Sequence, residues 1–378
     1  MVEITEKEKL SAMVLTRIDR FHPAGLLELY HRLGSATAVL EHKDNIRDVI
    51  PDASRYLIDG LKHIDEAQRR AEAELEYDQK HNISVLTFDD PRYPQRMKEC
   101  SDAPLVLYFL GNADLNQLHT INIVGTRRCT NYGKDIIRSF VRDLQKLCPN
   151  VLIFSGLAYG VDITAHCEAL VNGQDTVGVL AHGLDDIYPR AHRETAINML
   201  KQGGLLTEYM THTEPFAKNF VRRNRIVAGC SDATILVESA AKGGGLITCS
   251  MARSYNREVF AFPGNVGSQY SEGCNKLIRD NGAALITSAY DFVHAMQWDN
   301  EVILRKAQKA GIQRDLFPDL SPDEKTLVNA LTTTNDQQLN TLTETTALSV
   351  SKLSSLLFEL ELKGIVKPLA GGIFHLIK

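Results

Sequence analysis

Apolar residues along this chain change their spacing twice, and each change marks a boundary. In residues 1–80 they recur three and four apart: Leu26, Leu27, Leu29, Tyr30 and Leu33 follow Pro23-Ala24-Gly25 and stop at Gly34-Ser35. That is the spacing of one helix face, opened by a proline and closed by a glycine. The stretch predicts a small helical N-terminal domain with several short helices and a longer one over 53–79.

From 81 to 298 the pattern becomes short apolar runs of strand length, at 83–88, 105–110, 121–124, 151–154, 177–180, 205–206, 233–237, 259–262 and 284–286. Amphipathic stretches of helical length separate most of them. Strands apolar on both faces and alternating with helices predict an α/β domain with a doubly wound, mostly parallel sheet. Residues 299–317 read as a polar linker. Residues 318–378 then show helices over 322–331, 336–345 and 349–362, a Lys363-Gly364 stop, and strands over 366–369 and 373–377 around Gly371-Gly372. Three helices followed by a hairpin is the winged-helix pattern.

Composition changes this picture little: 44% hydrophobic and 24% charged residues describe a globular chain. Charge changes it more. The net −5 hides a segregation, with 12 Lys/Arg against 16 Asp/Glu in 1–80 but 7 against 3 in 215–260. A local field of that kind, not the total, steers a polyanion. The winged-helix segment carries 5 basic and 7 acidic residues, which points as much to a protein partner as to duplex DNA. Seven scattered cysteines without a Cys-x-x-Cys pair fit a reducing compartment. The charged start Met1-Val2-Glu3-Ile4-Thr5-Glu6-Lys7-Glu8 and the lack of any run of about 18 apolar residues place the expected protein in the cytoplasm, off the membrane.

The candidate chemistry lies in turns that leave strands. Ile123-Val124-Gly125-Thr126-Arg127-Arg128 exits one strand toward a helix, and Ser155-Gly156-Leu157-Ala158-Tyr159-Gly160-Val161-Asp162 exits the next. Glycines there permit tight turns, and with the basic and hydroxyl residues they suit an anion at a helix N-terminus. Gly243, Gly244 and Gly245 precede Leu246-Ile247-Thr248 in the same way. Glu238 fits either a sugar hydroxyl or a nearby arginine. Phe220, Arg222, Arg223, Asn224 and Arg225 cluster basic and aromatic groups, with Phe220 able to stack on a base or to pack under a helix. Asp162 and His166, four apart, fit an acid–base pair, metal ligands or plain helix packing. Neither a Gly-x-Gly-x-x-Gly turn nor a P-loop occurs, and no zinc spacing or nucleophile signature is present, so no cofactor, metal or catalytic residue is expected.

These turns, read together, resemble the DprA/Smf family of DNA-processing proteins. The matching residues are Gly125-Thr126-Arg127-Arg128 with Tyr132-Gly133, Ser155-Gly156 through Asp162, and Ala165-His166. Gly183-Leu184-Asp185 with Tyr188-Pro189, Phe220 with Arg223-Asn224-Arg225, Glu238, Leu246-Ile247-Thr248 and Pro263-Gly264 continue the match, which ends at Ser271, Gly273, Asn275 and Ile278. The resemblance implies an extended Rossmann-like sheet between an N-terminal SAM- or HhH-like helical domain and a winged helix. It further implies binding of single-stranded DNA, self-association through the Rossmann-like domain, and loading of the RecA recombinase in natural transformation. Carried over by position, DNA would meet Gly125, Thr126, Arg127, Arg128, Ser155, Gly156, Phe220, Arg222, Arg223, Asn224, Arg225, Gly244, Gly245 and Thr248. The family commonly has Ser-Gly-Ser where this chain has Gly243-Gly244-Gly245, which keeps backbone donors and removes a hydroxyl. Two other readings stand beside it. One is a nucleoside-monophosphate phosphoribohydrolase of the lysine-decarboxylase-like group, whose Pro-Gly-Gly-x-Gly-Thr and following Glu occur here in a different order. The other is a transcription regulator acting through the winged helix.

Overall fold

The computed structural model describes residues 5–18, 23–298, 320–335, 337–363, 365–369 and 372–376. They fall into two compact units, Met1–Val302 and Ile303–Lys378. The expected linker 299–317 lies outside the described residues, as do Met1–Ile4, Asp336, Gly364 and Gly371.

All nine apolar runs of the first unit become strands: β1 (Ser84–Thr87), β2 (Val106–Gly111), β3 (His119–Val124), β4 (Val151–Ser155), β5 (Thr176–Val179), β6 (Gly203–Thr207), β7 (Ala233–Leu236), β8 (Glu258–Ala261) and β9 (Ala284–Leu285). They form one sheet in the order β1-β2-β6-β5-β4-β3-β7-β8-β9. The seven strands from β6 to β9 in that order are parallel, and β2 and β1 extend the sheet antiparallel. Every residue of β3, β4, β6 and β7 is buried, as a sheet covered on both faces requires.

Alternate residues feed two cores. Ile121, Ile123, Ile153 and Ile235 pack with residues of α8 (Asn131–Leu147) and α9 (Val161–Val171), and with Phe292 and Trp298 at the C-terminal end of the unit. Leu152, Phe154 and Leu236 face the other way, toward a core that also contains Ile226, Val227, Cys249 and Ala252. Those four lie on α11 (Ala217–Gly229) and α12 (Gly244–Ser254). The intervening short helices are α7 (Gln95–Lys98) and α10 (Arg193–Met199), and α13 (Glu272–Arg279) and α14 (Ala289–Ala295) follow α12.

The N-terminal segment forms α1 (Glu6–Leu15), α2 (Pro23–Leu33), α3 (Ala36–Glu41), α4 (Ile46–Val49), α5 (Arg55–Lys62) and α6 (Asp65–Lys80). The expected long helix is thus two. It breaks at His63, and Asp65 and Glu66 open α6 at its positive end. The break sets α6 against the sheet: Glu74, itself buried, accepts the Thr211 N–H at 2.7 Å, and Arg70 donates to the Thr211 carbonyl at 2.7 Å. One apolar core runs from Ala12 to Cys274, so these helices and the sheet share an interior.

The second unit holds helices Pro322–Thr333, Leu339–Thr346 and Val350–Leu362, with β11 (Val366–Leu369) and β12 (Ile373–Leu376). The second helix starts at Leu339 instead of 336 because β10 (Gln337–Gln338) pairs with Ile373 and Phe374, giving the order β10-β12-β11. A Ser321/Glu324 capping box opens its first helix.

Candidate nucleic-acid interface

Parallel strands β3 through β6 step away from β3 in one direction, and β7 through β9 step away in the other. Their outgoing turns therefore part between β3 and β7, the place where open α/β sheets leave a crevice. A cavity of about 300 Å³ opens there, lined by Gly125, Thr126, Arg127, Gly156, Phe220, Arg223, Asn224, Gly244, Gly245 and Thr248 among the expected residues. Val124, Ala158, Asp162, Val221, Val227, Ala240, Gly243 and Ile247 complete it. Arg128, Ser155, Arg222 and Arg225 are not part of the lining.

Backbone geometry shapes this crevice. The Thr126 N–H donates to the Glu238 carbonyl at 2.8 Å, tying the β3 turn to the β7 turn. A side chain at Gly125 would collide with Val161 and that carbonyl, and Gly160 holds φ +82 beside Thr126. Glu238 pairs with no arginine among the described residues. Buried, it accepts the Thr130 N–H at 2.8 Å and the Thr130 hydroxyl at 2.6 Å, at the start of α8 where a carboxylate is favoured. The N-terminus of α12 has no side-chain cap, and the Gly244 and Gly245 N–H groups have no acceptor among the described residues. Both glycines line the cavity. Arg127 and Arg128 are exposed and without a carboxylate partner among the described residues. The Arg127 guanidinium lies 5.3 Å from the centre of the Phe220 ring, a cation–π placement.

Helical phase divides the basic cluster. Phe220, Arg223, Asn224 and Val227 are spaced three and four apart on α11, and all four face the crevice. Arg222 and Arg225 occupy a different face, where Glu208 of the β6 turn takes both: Arg225 at 2.5 Å and Arg222 at 3.3 Å. Arg225 is 4% exposed and also donates to the Asp102 carbonyl. The cluster is therefore not one wall, and the expectation that Arg225 reaches a phosphate gives way to a buried ion pair. Arg223 is equally buried, but beneath the crevice, where it donates to the carbonyls of Gly156 at 2.7 Å and of Val179. Burial lowers its affinity for the proton to about pKa 10, against the pull of Asp162.

Below that layer the remaining candidates are structural. The Ser155 hydroxyl is fully buried and donates to the Ile123 carbonyl at 2.6 Å. Asp162 accepts the Gly156 and Ala158 N–H groups, and burial raises its pKa in spite of Arg223. His166 does not pair with Asp162. Thr176 gives its hydroxyl proton to the Ile153 carbonyl at 2.8 Å, so it accepts from His166 Nδ1 at 2.7 Å. Burial, with Arg223 and His192 nearby, pushes His166 down to about 3, a neutral ring. Of the readings open for Asp162 and His166, packing at the helix start is the one these contacts support. Glu208, remote in sequence from its arginines, gave no signal of its role.

A larger groove of about 580 Å³ lies between Thr5–Lys9 and Ser84–Val85, away from the strand-end turns of the parallel strands. Among the described residues no group of three His, Cys, Asp or Glu side chains converges as metal ligands, and no helix is long and apolar enough to cross a membrane.

Fold and crevice together define a Rossmann-like protein with an open, glycine-lined crevice at its topological switch point. Residues 84–297 match the family model described as DNA recombination-mediator protein A, and residues 315–372 match the DprA winged helix domain. The chain belongs to the DprA/Smf family. Protein Smf of Synechocystis is 34% identical over 326 residues, covering 79% of this chain and 81% of that protein. The X-ray structure of DNA processing protein A from Streptococcus pneumoniae superposes with a TM-score of 0.65 at 30% identity, over 78% of this chain and 98% of that one. DNA processing protein A from Helicobacter pylori, whose structure concerns its single-stranded DNA binding mode, gives a TM-score of 0.52 at 29% identity, over 57% of this chain and 96% of that one.

Proposed function

We propose that this chain binds single-stranded DNA in the crevice between the β3 and β7 turns and hands the coated strand to a RecA-type recombinase. One observation carries the reading: the unused Gly244 and Gly245 N–H groups, the unpaired Arg127 and the Phe220 ring all meet one open cavity. Amides at a helix N-terminus and a guanidinium suit phosphates, and an aromatic ring suits a base. The H. pylori relative's DNA binding supports the same assignment. Recombinase loading, action in the cytoplasm, a role in natural transformation, and a homodimer formed through the sheet unit follow from family membership and are proposed on that ground.

A binding role is favoured over the phosphoribohydrolase alternative. Glu238 is buried and bonded by Thr130, His166 is a buried ring bonded to Thr176, and neither lines the crevice. The test is a fluorescence-anisotropy titration with single- and double-stranded oligonucleotides at two salt concentrations, run beside an assay for base release from nucleoside monophosphates. Single-strand binding that weakens steeply with salt is expected. Base release without single-strand binding would overturn the proposal.

A further inference from the structure

We propose that Tyr188 and Phe220 form a nucleobase-stacking corner at the mouth of the crevice, completing a site whose phosphate-holding part is Arg127 and the start of α12. This rests on the single-strand reading above. Tyr188 lies in the turn after β5, on the same sheet edge as the crevice, and 46% of it is exposed. Its ring centre is 5.7 Å from that of Phe220, with the planes tilted by 59°. Its hydroxyl has no hydrogen-bond partner among the described residues, so no side-chain polar contact holds the ring in place.

The mount is stiff. His182 is buried, and its Nδ1 can only donate to the Gly183 carbonyl at 2.8 Å, which leaves Nε2 as the acceptor for the Tyr188 N–H at 3.2 Å. Burial lowers the His182 pKa, which keeps that acceptor lone pair in place. A half-exposed aromatic on a fixed turn loses little freedom when a ligand arrives.

Geometry limits what the corner can do. A base sandwiched between two rings needs two stacking intervals of roughly 3.4 Å each, more than the observed separation allows. The base therefore stacks on an outward ring face and meets the second ring at its edge, a contact that favours any base over none and no base over another. Arg127, 5.3 Å from the Phe220 centre, stands where the adjoining phosphate would lie.

The test compares wild type with Tyr188→Ala, Tyr188→Phe and, as a remote control, Tyr290→Ala, a 65% exposed residue of α14. Affinity for oligo(dT) should fall roughly 5- to 100-fold in Tyr188→Ala with the salt slope unchanged, while Tyr188→Phe and the control stay within about twofold. An abasic strand should bind both wild type and Tyr188→Ala with the same reduced affinity. The sequence holds a single tryptophan, Trp298, which is buried, so Tyr188→Trp supplies a reporter whose emission oligo(dT) should quench. If wild type binds the strand but Tyr188→Ala loses nothing, or Tyr188→Trp is not quenched at saturation, the corner is overturned and the crevice reading stands. If wild type fails to bind any single strand, the crevice reading itself is wrong and the corner goes with it.

Discussion

Arg223 and Arg225 are two positions apart and equally buried, and they do different work because a helix turns about 200° between them. Arg225 neutralises Glu208 in the interior, so Arg225→Ala leaves that buried carboxylate with only the longer, half-exposed contact to Arg222. A stability loss of about 3–5 kcal/mol is expected in denaturant titration, with much of it recovered when Glu208→Gln is added. Arg127 is the contrasting case. It is exposed and unpaired, so Arg127→Ala should leave the melting temperature unaltered, lower single-strand affinity, and reduce the slope of log affinity against log salt by about 0.7. A melt that moves or a slope that does not would remove Arg127 from the phosphate contacts.

At the level of elements, the start of α12 offers a sharp test of whether backbone amides bind the ligand. Gly244 is its first helical residue, a Cβ there meets nothing within 4 Å, and Gly243 before it is extended. Proline is accepted at such a position, and it deletes the N–H without disturbing the helix. Gly244→Pro should keep the wild-type melt yet lose about fivefold in oligonucleotide affinity, whereas Gly244→Ala should lose nothing in anisotropy titrations. Most of the nine strands were legible because strands buried on both faces write continuous apolar runs, whether parallel or, as in β2, antiparallel. The α5–α6 break was not, since His63-Ile64-Asp65 contains neither glycine nor proline. Two-residue β10 was too short to leave a period. In the site, glycine turns announced the crevice, and helical spacing already grouped Phe220, Arg223, Asn224 and Val227. What it could not supply was Glu208, which claims Arg222 and Arg225 from a turn remote in sequence.

For the whole molecule, two buried groups set opposite pH limbs. Unfolded His166 takes up a proton below about pH 6.5, whereas the folded ring refuses it until about 3. The unfolded state then binds more protons, so stability falls as pH drops through that window. His166→Asn should flatten the acid limb in melts taken from pH 7 to 4. Asp78 acts in the reverse sense. Neither of its oxygens has a partner among the described residues, and burial, with Glu74 adding to it, pushes its pKa to about 8. The folded state keeps a proton that the unfolded state has released, so stability declines as pH rises from about 4 to 8. Asp78→Asn should raise the melting temperature at pH 8 and leave it unchanged near pH 4.

The pairing of β3 with β7, which sets Ile121 beside Ala233, joins segments made far apart in time. On the ribosome, the Gly125 turn emerges well before Gly244, and the two can meet only after the strands between them are made. Until then the arginines and amides of the crevice are scattered over a partial sheet. If the crevice holds a strand as proposed, a nascent chain has no assembled grip on nucleic acid until the sheet is complete. A long-range strand pair of this kind is slow to form, so in refolding experiments recovery of oligonucleotide binding should lag behind recovery of helical signal.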